Sequence, residues 1–224
     1  MTVEQEKVEK MDFNFDFQFA KPVIGVDEVG RGSWAGPVMA GTALLNYKLP
    51  IDKRLDDSKK LTPKARKEIL ENLTEYHIFG IGEVSNYEID KIGILKATFK
   101  AMEMALFNLV NKCKNIEPYL VLVDGTVMPD FYKKLNCEMK IVKKGDTLSP
   151  SIAAASIYAK CCRDKLMVKL DEKFKGYGFL TNMGYGSKKH REKLILSGPT
   201  HIHRMTYRPM KDLKHKNRIL HLER

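Results

Sequence analysis

The chain has 224 residues, 43% hydrophobic and 30% charged, enough apolar material for a substantial core in one large domain or two small ones. Its 39 Lys and Arg against 28 Asp and Glu leave a formal charge of +11, which points to an anionic partner, nucleic acid first. The charged opening MTVEQEKVEK does not read as a secretory leader, and no apolar run approaches the roughly 18 residues of a membrane helix. Four cysteines without a C-x-x-C pair argue against a zinc knuckle and for a reduced, cytoplasmic setting.

In chain order, Phe13, Phe15, Phe17 and Phe19 recur at period two, a strand signal with one aromatic face. Residues 1–21 are expected to form an N-terminal arm laid on the core. The apolar run at 23–27 predicts a first strand, 38–45 a second, and 46–52 a loop. Thr62-Pro63 supplies an N-cap and a first-turn proline for a helix over 63–73. A third strand covers 77–85, with glycines that mark bulges. Leu95, Phe99, Met102, Leu106 and Leu109 stand at helical spacing within 93–112. The near-continuous apolar run at 119–124 suits a central strand covered on both faces, and MKIVKK is a shorter fifth strand. Ser149-Pro150 repeats the cap-plus-proline signal and opens a helix through 174; turns, a helix over 188–196 and a basic tail follow. With no repeat or linker, residues 22–224 read as one domain, a mixed sheet sandwiched by helices.

Asp27 and Asp124 are each the first acid after an apolar strand, and neighbouring strands would bring them together where open sheets bind ligands. Asp146, in KKGDTLSP, follows the fifth strand. Clustered carboxylates stay ionised only around a cation, and oxygen-only ligands select Mg²⁺ or Mn²⁺. Each acid also has an ordinary reading. Asp124-Gly125 is a turn dipeptide, Asp146 can be a loop acid at a helix N-terminus, and Glu28 in a regular strand faces away from Asp27. Gly30-Arg31-Gly32 reads as a turn whose backbone N–H groups can approach a ligand while Arg31 grips a phosphate. Ser58, Lys59 and Lys60, in DDSKKLT before a helix, are either solvated surface or phosphate contacts. Lys211, Lys214 and Lys216 form a second basic cluster.

GVDEVGRG, DDSKKLT, LVDG, KGD with SIAAASIYAKCCRD, and GYGS then GPTHIHR occur in an order that resembles type 2 ribonuclease H, in particular bacterial ribonuclease HII. The resemblance implies an α/β RNase H-like fold: a five-stranded mixed sheet flanked by helices, with a C-terminal helical extension. It assigns Asp27, Glu28, Asp124 and Asp146 to a site for Mg²⁺ or Mn²⁺. It gives Gly30, Arg31 and Gly32 the recognition of a 2′-hydroxyl at an RNA–DNA junction, and Tyr185 the neighbouring deoxyribose. A tyrosine between two glycines is in any case expected to be exposed in a turn. Ser156 and the run Ala153-Ala154-Ala155 carry only a packing reading, small side chains that admit a helix close to the sheet.

Two departures stand out. Asn182-Met183 replace a common His-Lys, and Met205-Thr206-Tyr207 stand where serine and phenylalanine commonly follow the His-Arg. The arm lies outside the match and is too short for the extra N-terminal domain of ribonuclease HIII. KNRILHLER contains no clear sliding-clamp motif. The expected protein is a monomeric endoribonuclease that cuts RNA paired to DNA, and single ribonucleotides in duplex DNA on their 5′ side. Two ions would assist the cut, leaving 5′-phosphate and 3′-hydroxyl ends. The alternatives are a ribonuclease HIII-like enzyme and a non-catalytic duplex-binding protein.

Overall fold

The computed structural model describes residues 11–113, 119–131 and 137–213; Lys214 and Lys216 lie outside them. Five strands, β1 (Val23–Val29), β2 (Val38–Leu44), β3 (Ile78–Val84), β4 (Leu120–Asp124) and β5 (Glu138–Val142), form one mixed sheet in the order β3-β2-β1-β4-β5. β2 runs antiparallel to both β1 and β3, whereas β4 and β5 join β1 in parallel. The parallel step from β1 to β4 needs a crossover, which the intervening helices supply.

The cap signals act as expected. Thr62 accepts from the Ala65 N–H at 3.2 Å and opens α1 (Pro63–Tyr76), which runs three residues past the predicted end. Ser85 caps an unanticipated short helix, α2 (Asn86–Ile92), and the chain turns at Gly93 into α3 (Ile94–Val110). Ser149 accepts from the Ile152 N–H at 3.2 Å and starts α5 (Pro150–Lys173). Single-turn helices α4 (Gly145–Leu148) and α6 (Phe179–Asn182) are too short to show periodicity in sequence. After α7 (Lys188–Ser197), a last helical turn spans 208–213.

One face of the sheet packs Ile24, Val26, Val38, Val121 and Val123 against Leu106 and Leu109 of α3. The other packs Ala43 and Phe79 against α5, with Ile69 and Leu73 of α1 behind it. Ala153, Ala154 and Ala155 are all fully buried, so this stretch of α5 is enclosed on every side. A β-carbon at Gly41 would strike the Ala155 carbonyl, so the small residues here do set a close helix–sheet approach. Beyond the sheet, Met167 near the end of α5 joins Tyr177, Phe179, Leu194, Ile202 and Met210 in a separate core.

The aromatic arm corrects the expected strand. Phe15–Gln18 is a 3₁₀ turn. It directs Asp16 inward, where the carboxylate accepts from Ser149 Oγ at 2.6 Å, from the Ser151 N–H at 3.0 Å and from the Tyr47 hydroxyl. A negative charge suits these donors at the N-terminus of α5 and outweighs the period-two pattern. Phe15 and Phe19 still pack on Val23, Leu122 and Ile152, and Phe17 is exposed.

Candidate active site

The β1–β4 register pairs Val26 with Val123, so the next residues, Asp27 and Asp124, end two parallel strands side by side. Glu28 follows in β1 and meets Arg31 Nη1 at 3.4 Å. Asp124 accepts the Gly145 N–H at 2.7 Å, which ties the end of β4 to α4, where Asp146 is the next residue. Asp146 Oδ2 in turn receives Lys59 Nζ at 3.0 Å. Four acids from β1, β4 and α4 thus share one end of the sheet, as the positions of Asp27 and Asp124 after apolar runs predict for that pair.

Their electrostatics are those of like charges in a poorly hydrated place. Burial, then Glu28 and Asp124, push the Asp27 carboxyl well above its ordinary range, against hydrogen bonds from Ser156 and the Glu28 N–H. Burial and Asp146 push Asp124 up to about 6. Burial disfavours the Lys59 ammonium, yet Asp146, Asp57 and Asp27 together hold its pKa above the usual value. Among the described residues no three potential ligands converge closely enough, as they stand, to enclose an ion. The donor set nevertheless fits a hard divalent cation: all oxygens, excess negative charge, and an ammonium already drawn among them.

Beside the acids lies a cleft of about 300 Å³ lined by Asp27, Glu28, Gly30, Arg31, Gly32, Ser58, Lys59, Asp124 and Tyr185. Gly30 has φ +88°, and a β-carbon there would strike the Arg163 guanidinium, so this turn requires glycine. Arg163 is fully buried and donates to Ser33 Oγ at 2.7 Å and to the Met183 carbonyl at 2.8 Å. It stands 5.8 Å from the Tyr185 ring, so one side chain braces the glycine turn and the tyrosine wall together.

Tyr185 is half-exposed, and its carbonyl accepts from His190 Nδ1 at 2.9 Å. The chain of bonds fixes the histidine tautomers. His203 Nδ1 accepts the Thr200 N–H at 2.9 Å, so its Nε2–H donates to His190 Nε2 at 3.1 Å. Burial lowers both imidazole pKa values, that of His203 to about 4. Asn182, in place of the common histidine, accepts the Gly184 N–H at 2.8 Å and donates to the Tyr177 carbonyl at 2.8 Å. It braces the Tyr185 turn from behind.

Sequence reasoning placed Lys60 with the site, but its ammonium turns to Asp56 at 3.1 Å. Lys59 and Ser58 do reach the cleft, the loop being held by Arg66 Nη1 on the Ser58 and Leu61 carbonyls, both at 2.7 Å. Two polar lining residues stood outside the expected site, Ser156 with only a packing role and Lys160 with none. Ser156 bonds Ser58 Oγ at 2.9 Å, and Lys160, paired with Asp164 at 2.8 Å, also faces the cleft. Ser156, Lys160 and Arg163 recur at helical spacing on a helix whose first two turns are buried, and that polar stripe was the available signal.

The family model described as Ribonuclease HII matches residues 24–210. The ribonuclease HII of Pelagibacter ubique (strain HTCC1062) is 45% identical over 194 residues, covering 86% of this chain and 99% of its own. Among solved structures, ribonuclease H2 from Pyrococcus horikoshii OT3 superposes with a TM-score of 0.69 at 28% identity, over 88% of this chain and 98% of that one. Bst-RNase HIII in complex with Mn²⁺ shares the fold, with a TM-score of 0.71 at 20% identity over 94% and 74% of the two chains.

Proposed function

The chain belongs to the ribonuclease HII family of metal-dependent ribonucleases H, and on that premise we propose that it cuts both RNA–DNA hybrids and DNA duplexes carrying a single ribonucleotide. The reading rests on one juxtaposition: Asp27 and Asp124, at adjacent strand ends, open onto the same cleft as Gly30, Arg31, Gly32 and Tyr185. A phosphodiester at the acids would have its ribose at the glycine turn and its next sugar at the tyrosine.

Asp27, Glu28, Asp124 and Asp146 would hold two divalent ions, Mg²⁺ or Mn²⁺, which supply Lewis-acid activation of the attacking water and neutralise charge on the leaving 3′-oxygen. The remaining work belongs to this chain's own groups. Burial and mutual repulsion raise the carboxyl pKa values of Asp27 and Asp124, so a bound cation would favour their ionised forms. The Gly145 N–H orients the Asp124 carboxylate, and the Ser58–Ser156 pair borders Asp27. Lys59 and Lys160 offer positive charge to the substrate phosphates on the cleft wall. Backbone groups of the Gly30–Gly32 turn test for the 2′-hydroxyl, the group that separates RNA from DNA at a given site. Tyr185 offers an apolar ring face to the following deoxyribose.

The products would be a 3′-hydroxyl and a 5′-phosphate on the ribonucleotide. We take residues 22–224 as one catalytic unit, acting as a monomer in the cytoplasm, with 1–21 as its arm. No helix among the described residues is long and apolar enough to cross a membrane. The test is end-mapped cleavage of a duplex with one ribonucleotide, with Mg²⁺, with Mn²⁺ and with chelator. Cutting on the 5′ side only with metal supports the reading. Cutting of a long hybrid with the lone ribonucleotide left intact would overturn it in favour of the ribonuclease HIII-like alternative.

A further inference from the structure

Tyr207 stands where phenylalanine is common, and its hydroxyl is not idle. It donates to the Arg31 carbonyl at 2.7 Å and accepts from Arg204 Nη1 at 3.0 Å. Arg204 Nη1 also donates to the Arg31 carbonyl at 2.7 Å, so this one oxygen has two donors. The donors are themselves fixed. Arg204 is fully buried, with Nε on the Gly36 carbonyl and Nη2 on the Pro37 carbonyl, each at 3.0 Å. The turn leading to Tyr207 is held by Asp90, which accepts the Met205 N–H at 2.7 Å, the Thr206 N–H at 2.9 Å and the Thr206 hydroxyl at 2.6 Å. Both residues that accompany Tyr207 in the departure therefore belong to the same brace.

A trans peptide carries its C=O and N–H on opposite sides. Pulling the Arg31 carbonyl inward onto Arg204 and Tyr207 turns the Gly32 N–H outward. The preceding peptide is fixed similarly, since the Gly30 carbonyl accepts from Ser33 Oγ at 3.0 Å and the Ser33 N–H at 3.3 Å. Among the described residues the Gly32 N–H donates to no protein group, and Gly32 lines the cleft beside Tyr185.

We propose that the Tyr207 hydroxyl, acting with Arg204, is a positioning group that locks the Arg31–Gly32 peptide so that its N–H faces the ribose, and thereby sharpens the preference for ribose over deoxyribose at the cut site. The proposal rests on the reading of the Gly30–Gly32 turn given under Proposed function. A phenylalanine keeps the ring and its packing but leaves Arg204 as the sole side-chain donor to the Arg31 carbonyl. The peptide then has more freedom to rotate, and the ribose finds its partner less well aligned.

Tyr207→Phe is the test, since it removes one oxygen and keeps the shape. Two readouts are needed: kcat and KM on a single-ribonucleotide duplex, and the affinities of that duplex and its all-DNA counterpart in chelator. One neutral hydrogen bond predicts a loss of about three- to tenfold in kcat/KM. The affinity ratio of ribose over deoxyribose should fall by a similar factor, while the all-DNA affinity stays put and Tm moves by less than about 2 °C. An unchanged ratio, or equal losses on both duplexes, would overturn the positioning role, because a merely structural hydroxyl cannot act through the sugar. If the parent itself neither cuts the lone ribonucleotide nor prefers it in binding, the reading of the turn fails first and the role of Tyr207 falls with it.

Discussion

Lys59 donates to Asp146 across 3.0 Å, although 87 residues separate them in sequence and the lysine side chain is 77% exposed while that of Asp146 is 7% exposed. The ammonium is the nearest positive charge to a cluster whose members raise one another's pKa. Lys59→Met should therefore weaken the metal-free protein and enlarge its stabilisation by Mn²⁺. A partly exposed pair is worth about 0.2–1 kcal/mol, which predicts a fall of about 1–3 °C in metal-free Tm. Thermal melts with and without Mn²⁺ check this; an unchanged metal-free Tm would mean that the cluster does not depend on Lys59.

Asp124→Asn separates charge from shape. The folded carboxyl titrates at about 6, above its unfolded value, so it binds its proton more tightly in the folded state. Stability from this group is full below about pH 4 and is lost as pH rises through about 6. Asparagine keeps an oxygen for the Gly145 N–H and carries no charge. The variant should melt higher than the metal-free parent at pH 8 and alike at pH 4. Metal-dependent cleavage should nearly vanish, and retention within about tenfold of the parent would remove Asp124 from the catalytic set.

His203 and His190 give the opposite sign. Both are held neutral by burial, so folding opposes their protonation. This stability is full above the unfolded value near 6.5 and is lost as pH falls toward about 4, where folded His203 titrates. In the Asp124→Asn background, where one of the two compensating acids is gone, Tm should decline more steeply over that window than in the parent. His203→Asn, which keeps an acceptor for the Thr200 N–H, should melt lower at neutral pH but flatten the decline. A decline of the same steepness in both proteins would show that the histidine pair does not carry it.

Tyr185 is half-exposed on the cleft wall, so its substitution should leave the fold intact. Tyr185→Ala should lose about 1–3 kcal/mol of transition-state binding on a single-ribonucleotide duplex, as aromatic platforms do, and Tyr185→Phe much less. A long hybrid offers other registers and should suffer less. Steady-state kinetics on both substrates decide it; equal losses for Ala and Phe would point to the hydroxyl instead of the ring.

Asp16 should be a stability residue despite its place in the arm. Asp16→Ala strands Ser149 Oγ and the Ser151 N–H at the start of α5. Losing charge-assisted bonds at buried donors costs about 1–3 kcal/mol, or a fall of about 3–10 °C in Tm. Asp146 lies three residues before Ser149, so metal affinity should weaken alongside. A melting temperature within about 1 °C of the parent would show that the arm only rests on the core.

The sequence alone determined what depends on short-range chemistry. Apolar runs, Thr62-Pro63 and Ser149-Pro150 fixed the strands and long helices to within a few residues, because caps and periodicity act over one or two turns. The acids after the runs ending at Asp27 and Asp124 were legible for the same reason, and the motif order pointed to the family. Tertiary structure decided whatever turns on a partner far along the chain. Asp16 overruled the aromatic alternation because its donors lie at Ser149 and Ser151. Lys59 rather than Lys60 reached the acids because Asp56 captured its neighbour. Ser156 and Lys160 joined the cleft because α5 turns that one face toward β1, which a residue-by-residue reading of SIAAASIYAK does not reveal. Tyr207 found the Arg31 carbonyl 176 residues away, a contact that only the folded chain can make.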